Sequence, residues 1–245
     1  MKKPLDDAGH QTRIDYWSKA GTPHGRAAIN LRRSVKIFIW RTVIDGSLLL
    51  KRTLDIVVAG LTLMVWSPPM LIVMALIKLE DGGPVFFRQT RIGLRGRPFG
   101  MWKFRSMGIH ADKMKDQLIE KNEMAGGVTF KMKNDPRVTR VGRFIRKYSV
   151  DEAPQLWNVL VGEMSFVGPR PPVPREVAQY SPEDRQRLLA KPGLTCVWQV
   201  SGRSNIDFPG QVRLDLQYIR SRSLWLDLTL LLKTIPAVLF GDGAY

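Results

Sequence analysis

The residues best suited to chemistry in this 245-residue chain are two adjacent carboxylates, Asp151 and Glu152. Two neighbouring carboxylates could hold Mg²⁺ while one of them attacks phosphorus as a nucleophile. The three histidines show no zinc-ligand spacing, so a metal here would have oxygen ligands, which favours magnesium or manganese. A second interpretation stays open, because acidic residues also stabilise a helix N-terminus without any catalytic role.

Cationic residues accompany the carboxylates. From residue 137 to 146 an arginine recurs every third position with apolar residues between, which predicts an amphipathic helix whose cationic face could bind pyrophosphate. In "MWKFRSM" the alternation predicts a strand with two cations on one face. Each of these cations could equally be a solvated surface residue. The phosphate-binding candidates are Lys103, Arg105, Arg143 and Arg146.

Two further segments carry candidate binding residues. The prolines of "GPRPP" predict a rigid loop that directs Arg170, whose guanidinium suits phosphate and can stack on a base. The segment "VSGRSNIDF" and the glutamine before it offer side chains for a sugar, or for a purely structural clasp, and both interpretations stay open. These sugar candidates are Gln199, Arg203 and Asp207.

Local patterns predict the elements that position these groups. "GGPVFFRQTRIG" and "RPFGMWKFRSM" predict two short strands around a glycine-containing turn, and a charged helix is predicted from about His110 to Glu123. Ser149 and Glu152 have capping-box spacing, which predicts a helix that starts at the carboxylates, ends near Gly162 and presents free N–H groups to phosphate. We therefore expect residues 80–245 to form a compact, helix-rich α/β domain with a small sheet.

An apolar segment precedes this domain. From Thr53 to Ile77 the only charge is Asp55, and the roughly 37 Å of helix exceeds a hydrocarbon core of about 30 Å. Ser67 and Pro68 disfavour helix near its middle, and basic residues cluster at both ends. Because positive residues prefer the cytoplasmic side, we predict a re-entrant helix–break–helix hairpin in a monotopic protein, with a kinked span as the alternative.

The regions beside the hairpin also point to a membrane surface. Residues 29–52 mix apolar and basic residues, as a helix on anionic lipid would, and the hairpin and this helix together make a membrane-associated region at 29–79. The run from Ser223 to Phe240 is predicted to be an interfacial or a core-packed helix. Residues 1–28 are predicted to be a poorly ordered polar arm, and Cys196 a small buried hydrophobe.

The chain resembles the bacterial sugar transferases, which are polyprenyl-phosphate hexose-1-phosphate transferases, also called monotopic phosphoglycosyl transferases. The resemblance covers about residues 50–245, and Ala153 and Cys196 are small departures from it. The matching segments, in chain order, are "KRTLDIVVAG", the Ser67-Pro68 break, "GGPVFFRQTRIG", "KFRSM", "DPRVTRVGRFIRKYSVDEAPQLWNVLVGEMSFVGPRPP", "KPGLTCVWQVSGRS" and "LWLDLTLLLKTIPAVLFGDGAY".

The resemblance implies an activity and its residues. The family transfers a sugar 1-phosphate from a nucleoside diphosphate sugar, usually a UDP-sugar, to undecaprenyl phosphate at the cytoplasmic face of the bacterial inner membrane. This step begins the assembly of exopolysaccharide, capsule or O-antigen. The implied nucleophile is Asp151, which would form an acyl phosphate with the phosphosugar and release UMP, with Glu152 as a Mg²⁺ ligand. The loop of Pro169, Arg170 and Pro171 would contact uridine, and a homodimer is plausible.

Two other classes of protein are compatible with parts of the sequence. A formal net charge of +16 implies an anionic partner, which could be nucleic acid, anionic membrane lipid or a phosphorylated substrate. A nucleic-acid-binding protein would not explain the apolar hairpin, and neither a stacking signature nor a helix-turn-helix pattern is found, so we expect no nucleic-acid partner. A catalytically silent membrane scaffold is the second alternative. The identity of the sugar is not marked in the sequence.

Overall fold

The structure is a computed structural model that describes residues 22–111, 114, 135–202 and 206–239. The chain divides into two compact units, Met1–Leu50 and Lys51–Tyr245. The helices and strands, in chain order, are α1 (Pro23–Asp81), β1 (Phe86–Ile92), β2 (Pro98–Phe104), α2 (Arg140–Lys147), α3 (Gln155–Val161), β3 (Ser165–Val167), α4 (Pro174–Ala178), β4 (Gly193–Thr195), α5 (Val197–Ser201), α6 (Phe208–Ser221) and α7 (Leu224–Leu239).

Helix α1 begins earlier than the sequence predicted. Its first residue is Pro23, so residues 23–28 are helical and do not belong to the predicted polar arm. Proline is well suited to the first turn of a helix, because its fixed φ angle is already helical and its missing N–H would have no partner there. Most of the arm, and most of the helix predicted from His110 to Glu123, lies outside the described residues.

The apolar part of α1 is long enough to cross a membrane. The stretch Gly46–Asp81 passes this test by length and composition, with a mean hydropathy of 2.0, and only 11 % of its most apolar window is buried. The predicted interruption of the helical backbone is wrong, because the helix continues through Pro68 and Pro69. In a regular helix the N–H of residue 68 would donate to the carbonyl of Met64, but Pro68 has no N–H. The Oγ of Ser67 donates to that carbonyl instead, at 2.8 Å, which helps the helix to continue.

The two predicted strands are confirmed. β1 and β2 form an antiparallel pair in which Phe86 faces Phe104 and Ile92 faces Pro98, around a turn at residues 93–97. In the turn Gly96 has φ +78°, a backbone conformation that residues other than glycine rarely adopt. A single small sheet was expected, but the described residues form two two-stranded sheets.

The second sheet is a short parallel pair that brackets the proline-rich loop. Ser165 pairs with Gly193, and Val167 pairs with Thr195. The backbones approach closely just beyond β3, where a Cβ on Gly193 would lie 2.1 Å from the backbone nitrogen of Gly168. Only glycine fits at such a distance, so this contact fixes where the loop between the two strands leaves and returns.

The carboxyl-terminal half of α1 packs on the same unit as the two sheets. Ala59 belongs to a buried cluster with Met101 and Val159, and Ile77 belongs to a second cluster with Phe104. Membership of two clusters gives this part of α1 a fixed position against β2 and α3. Burial of these apolar side chains supplies the main favourable free energy for that packing.

Asn158 joins α3 to β2. Its side chain is fully buried, its Oδ1 accepts from the N–H of Trp102 at 3.0 Å, and its Nδ2 donates to the carbonyl of Gly100 at 2.9 Å. Nδ2 also donates to Glu163 at 2.6 Å. Because the amide satisfies backbone groups of the central part of β2, it sets the position of the strand relative to the helix.

Helices α6 and α7 cover β3. Tyr218 and Leu230 pack on Val167, and the Tyr218 hydroxyl donates to Asp227 at 2.7 Å. Lys51 of α1 also donates to Asp227. Cys196 is buried, as predicted, and burial raises the pKa of its thiol. On the outer side of α7 four large apolar side chains are exposed: Trp225, Leu228, Leu232 and Ile235.

Candidate active site

Asp151 and Glu152 lie in a short 3₁₀ turn, Val150–Glu152, rather than at the start of an α-helix. The predicted capping box is wrong, because Ser149 has φ +55° and its side chain makes no capping hydrogen bond. The α-helix begins only at Gln155, after Pro154, and ends at Gly162 in a left-handed conformation, as predicted.

Most backbone N–H groups near the carboxylates already donate hydrogen bonds to carbonyl groups within the chain. The N–H of Glu152 donates to Ser149, and that of Ala153 donates to Val150. The N–H groups of Leu156 and Trp157 are used in the same way. The predicted phosphate site at a helix N-terminus therefore loses most of its donors, and side chains must supply the positive charge that a phosphate needs.

Lys103 supplies the nearest cation. Its Nζ donates to Oε1 of Glu152 at 2.7 Å and lies 3.9 Å from Oδ2 of Asp151. β2 holds Lys103 in this position, since Asn158 fixes the neighbouring residue Trp102. Two carboxylates of like charge are thus held together by one shared ammonium group.

The two carboxyl groups titrate in opposite directions. Burial raises the pKa of Asp151 to about 6, and the negative charge of Glu152 adds to the rise, although Lys103 opposes it. Burial would also raise the pKa of Glu152, but the positive charges of Lys103 and Arg170 outweigh it and lower that pKa to about 2. At neutral pH both groups are ionised, and Asp151 is the more basic of the two.

The proline-rich loop closes the site on the other side. Arg170 Nη2 lies 4.0 Å from Oε1 of Glu152. The carbonyl of Pro169 accepts from the N–H of Gly193 at 2.9 Å, and that of Pro171 accepts from Arg91 Nη1 at 2.9 Å. These bonds to β4 and β1 hold the loop beside the carboxylates.

Arg91 and Gln155 are the members of the site that the sequence reasoning missed. Both line a small cleft together with Glu152, Arg170 and Pro171. Burial lowers the pKa of Arg91 to about 10, and the charge of Arg170 adds to this. The only signal in the sequence for Arg91 was its place in the predicted strand "FFRQTRI", where it alternates with apolar and polar neighbours.

Arg105 does not reach the carboxylates. β2 ends at Phe104, and the N–H of Arg105 just beyond it donates to the carbonyl of Val85 at 2.9 Å. Its guanidinium pairs with Asp81 at the end of α1 instead. Arg105 therefore contacts α1, and its role in phosphate binding stays a prediction.

The arginines of α2 are divided between different environments. Arg137 lies before the helix and is buried in a pair with Asp135 at 2.6 Å, so the predicted four-arginine face has three helical members at most. Arg143 is exposed, and Arg146 is close enough for its charge to lower the pKa of Asp151. Both stay candidates for phosphate binding.

The sugar candidates have local structural partners. Asp207 caps α6, where its side chain accepts from the N–H of Gly210 at 3.0 Å. Gln199 Oε1 accepts from the Cys196 thiol at 3.0 Å. Arg203 lies outside the described residues. These contacts support a structural role for Asp207 and Gln199. Their roles in sugar binding stay predictions.

The donor chemistry of the site fits a magnesium ion. Among the described residues, no three His, Cys, Asp or Glu side chains come together, so the protein offers the Asp151 and Glu152 carboxylates. Mg²⁺ commonly binds through one or two carboxylates and completes its shell with water and substrate phosphates. A fully protein-built cage for calcium or zinc would need more ligands than this turn provides.

The chain is similar in sequence to a known protein family and to several bacterial transferases. A family described as "Bacterial sugar transferase" matches residues 46–241. An "Undecaprenyl-phosphate galactose phosphotransferase" of Salmonella typhimurium is 45 % identical over 203 residues, which cover 82 % of this chain and 42 % of that protein. A "UDP-glucose:undecaprenyl-phosphate glucose-1-phosphate transferase" of Caulobacter vibrioides is 42 % identical over 264 residues, covering 100 % of this chain and 87 % of that protein.

The relatives differ in length. The chain spans less than half of several of them, such as the Salmonella protein and a "Galactosyl transferase CpsE" of Streptococcus agalactiae, which is 46 % identical and of which 44 % is covered. It spans 88 % of an "Exopolysaccharide production protein ExoY" of Rhizobium meliloti, which is 43 % identical over 80 % of this chain. In each case the match covers at least four fifths of this chain, including the carboxylates, Lys103 and the proline-rich loop.

Proposed function

The chain belongs to the bacterial sugar transferase family, and from that membership we propose that it transfers a sugar 1-phosphate from a UDP-sugar to undecaprenyl phosphate and releases UMP. The relatives named above support the two substrate classes, since their names contain undecaprenyl phosphate and, for the Caulobacter protein, UDP-glucose. The product would be a membrane-bound diphosphate-linked sugar, which is the first intermediate of an exopolysaccharide, capsule or O-antigen.

One observation carries this proposal. A buried carboxyl group with a raised pKa, Asp151, lies beside an ionised Glu152, and both are held by Lys103. A raised pKa makes Asp151 a better nucleophile than an exposed aspartate, while its charge is still present at neutral pH. The alternatives, a silent scaffold or a nucleic-acid-binding protein, give no reason to bury two carboxylates against one lysine, because that burial lowers stability.

In the first half-reaction, an Asp151 oxygen attacks the phosphorus that carries the sugar. A new P–O bond forms to Asp151, the P–O bond to the nucleoside phosphate breaks, and UMP leaves with that electron pair. Lys103 and Arg170 neutralise charge on the phosphates, and the loop of Pro169, Arg170 and Pro171 contacts the uridine end. When bound by Asp151 and Glu152, Mg²⁺ would neutralise phosphate charge as well.

In the second half-reaction, an oxygen of undecaprenyl phosphate attacks the same phosphorus. The acyl-phosphate bond to Asp151 breaks, and the carboxylate is regenerated. The acceptor phosphate lies at the membrane surface whereas the UDP-sugar is soluble, so the site must be at the interface on the cytoplasmic face. The basic surface, with its net charge of +16, would also attract anionic lipid there.

Purified protein in detergent should release UMP from at least one UDP-sugar when undecaprenyl phosphate and Mg²⁺ are present. We expect the release to stop when EDTA removes the metal and to return when Mg²⁺ is added back. The measurement is UMP formation across UDP-glucose, UDP-galactose and N-acetylated UDP-sugars, which also identifies the sugar. A protein that binds membranes and yet releases no UMP from any donor would support the scaffold alternative.

The contacts at the two ends of the apolar segment of α1 support a re-entrant arrangement. Arg52 donates to the carbonyl of Val159, and Asp81 pairs with Arg105. A straight helix would separate Arg52 from Asp81 by roughly 44 Å. Their partners are much closer, because Asn158, next to Val159, bonds Trp102, only three residues before Arg105. Both ends of the apolar segment thus contact neighbouring parts of one folded unit, which favours a bend near Ser67 and Pro68 over a straight crossing.

This arrangement predicts the outcome of cysteine labelling in cells. In a Cys196→Ser background, Leu48→Cys and Leu79→Cys should both be protected from a membrane-impermeant maleimide added to spheroplasts, and both should react in inverted vesicles. Leu79 is 83 % exposed in the folded protein, so protection would come from the membrane and not from burial. Labelling of only one of the two positions from the periplasm would establish a kinked span instead.

The exposed stripe on α7 fits the same interface. Trp225, Leu228, Leu232 and Ile235 follow one another at helical spacing on the side opposite the core residue Leu230. Asp227 in the first turn of α7 is bonded by Lys51, which lies just before the apolar segment of α1. We therefore assign α7 as both core-packed and interfacial, with its outer stripe in contact with lipid.

A further inference from the structure

The cleft beside the carboxylates contains a buried donor without an acceptor. Gln155 is only 3 % exposed, and its Nε2 has no hydrogen-bond partner within the part of the chain that the structure describes. A buried amide donor without a partner lowers stability, because the group loses its water and gains no bond in return. Such a group in a folded protein calls for an explanation, and an absent ligand is one.

The surroundings of Gln155 indicate the chemistry of that ligand. The cleft that Gln155 lines also contains Glu152, Arg91 and Arg170. Two arginines and one carboxylate line the cleft, so its lining carries an excess of positive charge. The guanidinium of Arg91 is already engaged by Gln89 and by the carbonyl of Pro171. Arg91 thus contributes mainly charge, whereas the amide of Gln155 contributes a free donor; together they suit a phosphate oxygen.

We propose that the side-chain amide of Gln155 donates to the phosphate group that leaves with the nucleoside. This inference rests on the proposed function, since it assigns a contact in the same site. Gln155 follows Glu152 by three residues and shares its cleft with Arg170 of the proline-rich loop, which the proposed function assigns to the uridine end of the donor. The amide would hold the leaving phosphate between the carboxylates and the loop, and the bond would strengthen as charge develops on that phosphate.

A ligand contact and a structural contact make opposite predictions for stability. Replacing Gln155 by methionine keeps the length of the side chain and removes the donor without a partner. We expect Gln155→Met to raise the melting temperature by about 2–5 °C, because a desolvated polar group is lost and no bond is broken. A glutamine that holds the fold together would show a fall instead.

The decisive measurement is calorimetric binding of UMP and of uridine to the full-length protein in detergent. Gln155→Met should weaken UMP binding by about 10- to 100-fold, as expected for loss of a hydrogen bond to a charged acceptor, and change uridine binding by less than about twofold. Gln155→Glu should weaken UMP binding further, because it adds a negative charge beside the phosphate. Equal losses for UMP and uridine, or an unchanged affinity for UMP, would overturn the assignment.

Gln211 provides a matched control. Its Nε2 donates to the carbonyl of Ile206 at 2.9 Å, so its amide is satisfied within the fold. Gln211→Met should lower the melting temperature and leave the affinity for UMP unchanged, the reverse of the expected pattern at Gln155.

The titration also separates this inference from the proposed function. The wild-type protein could bind UMP and yet transfer sugar phosphate from no donor. That result would contradict the proposed reaction, and the binding data would still decide the role of Gln155. Wild-type protein that binds no UMP at all would overturn both.

Discussion

Replacement of Asp151 by asparagine is expected to reduce sugar-phosphate transfer by roughly a thousand-fold or more and, at the same time, to stabilise the protein. The loss follows because an amide cannot form the covalent bond to phosphorus. The gain follows because Asp151 is only 8 % exposed and burial raises its pKa from 3.8 to about 6. A carboxyl group that is easier to protonate when folded destabilises the fold once it is ionised.

The pH dependence of this effect has a definite sign. The folded protein binds more protons than the unfolded chain between about pH 4 and 6, so the contribution of Asp151 to stability falls as pH rises through that range and stays low above it. Asparagine does not ionise, so the variant avoids this loss of stability and should be more stable than the wild type by about 1–3 kcal/mol at pH 7. Thermal unfolding of the two proteins should therefore differ by a few degrees at pH 7 and converge near pH 4.

The same ionisation should appear in the kinetics. The kcat/KM of the wild-type protein for the UDP-sugar should fall on the acidic side of neutrality, as protonation of Asp151 removes both the nucleophile and a Mg²⁺ ligand. Asp184→Asn is the control, since Asp184 accepts from Ser181 on the surface, and this variant should leave transfer intact. Retained transfer in Asp151→Asn would remove Asp151 as the nucleophile.

Replacement of Lys103 by methionine is expected to have the second largest effect. Without the shared ammonium group, the pKa values of both carboxyl groups should rise, and the acidic limb of kcat/KM should move up by about 1–2 pH units. At pH 7 we expect transfer to fall about 30- to 300-fold, because fewer molecules carry an ionised Asp151 and the phosphates lose a cation.

Lys103→Met should also lower stability. Lys103 and Arg170 hold the pKa of Glu152 near 2 against 4.5 in the unfolded chain, and that stabilisation is present above pH 4.5 and lost as pH falls toward 2. Its partial loss in the variant would cost about 1–3 kcal/mol at pH 7, measured by thermal unfolding. The pH–rate profile is the more specific measurement, because a merely structural lysine would not move its acidic limb.

Two further variants make the Lys103 result interpretable. Lys103→Arg keeps the charge and should hold the acidic limb near its wild-type position, with a smaller loss of rate. Lys147→Met removes an exposed lysine whose ammonium lies over the ring of Tyr148, and should change neither the profile nor the stability by much. A Lys103→Met profile that coincides with the wild type would mean that the salt bridges to Asp151 and Glu152 do not control their ionisation.

Several features of this protein follow from residues that are close together in the chain. The alternation in "FFRQTRI" and "PFGMWKF" and the glycines between them were sufficient for the β1–β2 hairpin, and Gly162 was sufficient for the end of α3. The adjacency of Asp151 and Glu152, and the length of the apolar segment, are likewise local properties. Local patterns work in these cases because backbone conformation depends mainly on near neighbours and on the spacing of apolar side chains.

The arrangement of the site depended on contacts between distant segments. Lys103 reaches Glu152 across 49 positions, and Asn158 reaches Trp102 across 56. Arg105, two residues from Lys103, pairs with Asp81 instead of the carboxylates, and no periodicity within "KFRSM" marks that difference. The burial of Arg91 and the amide of Gln155, unpaired among the described residues, likewise become visible only when the packed chain shows which polar groups find partners. Spacing along the chain specifies which face a side chain shares, whereas its charge partner and its protonation depend on what packs against that face.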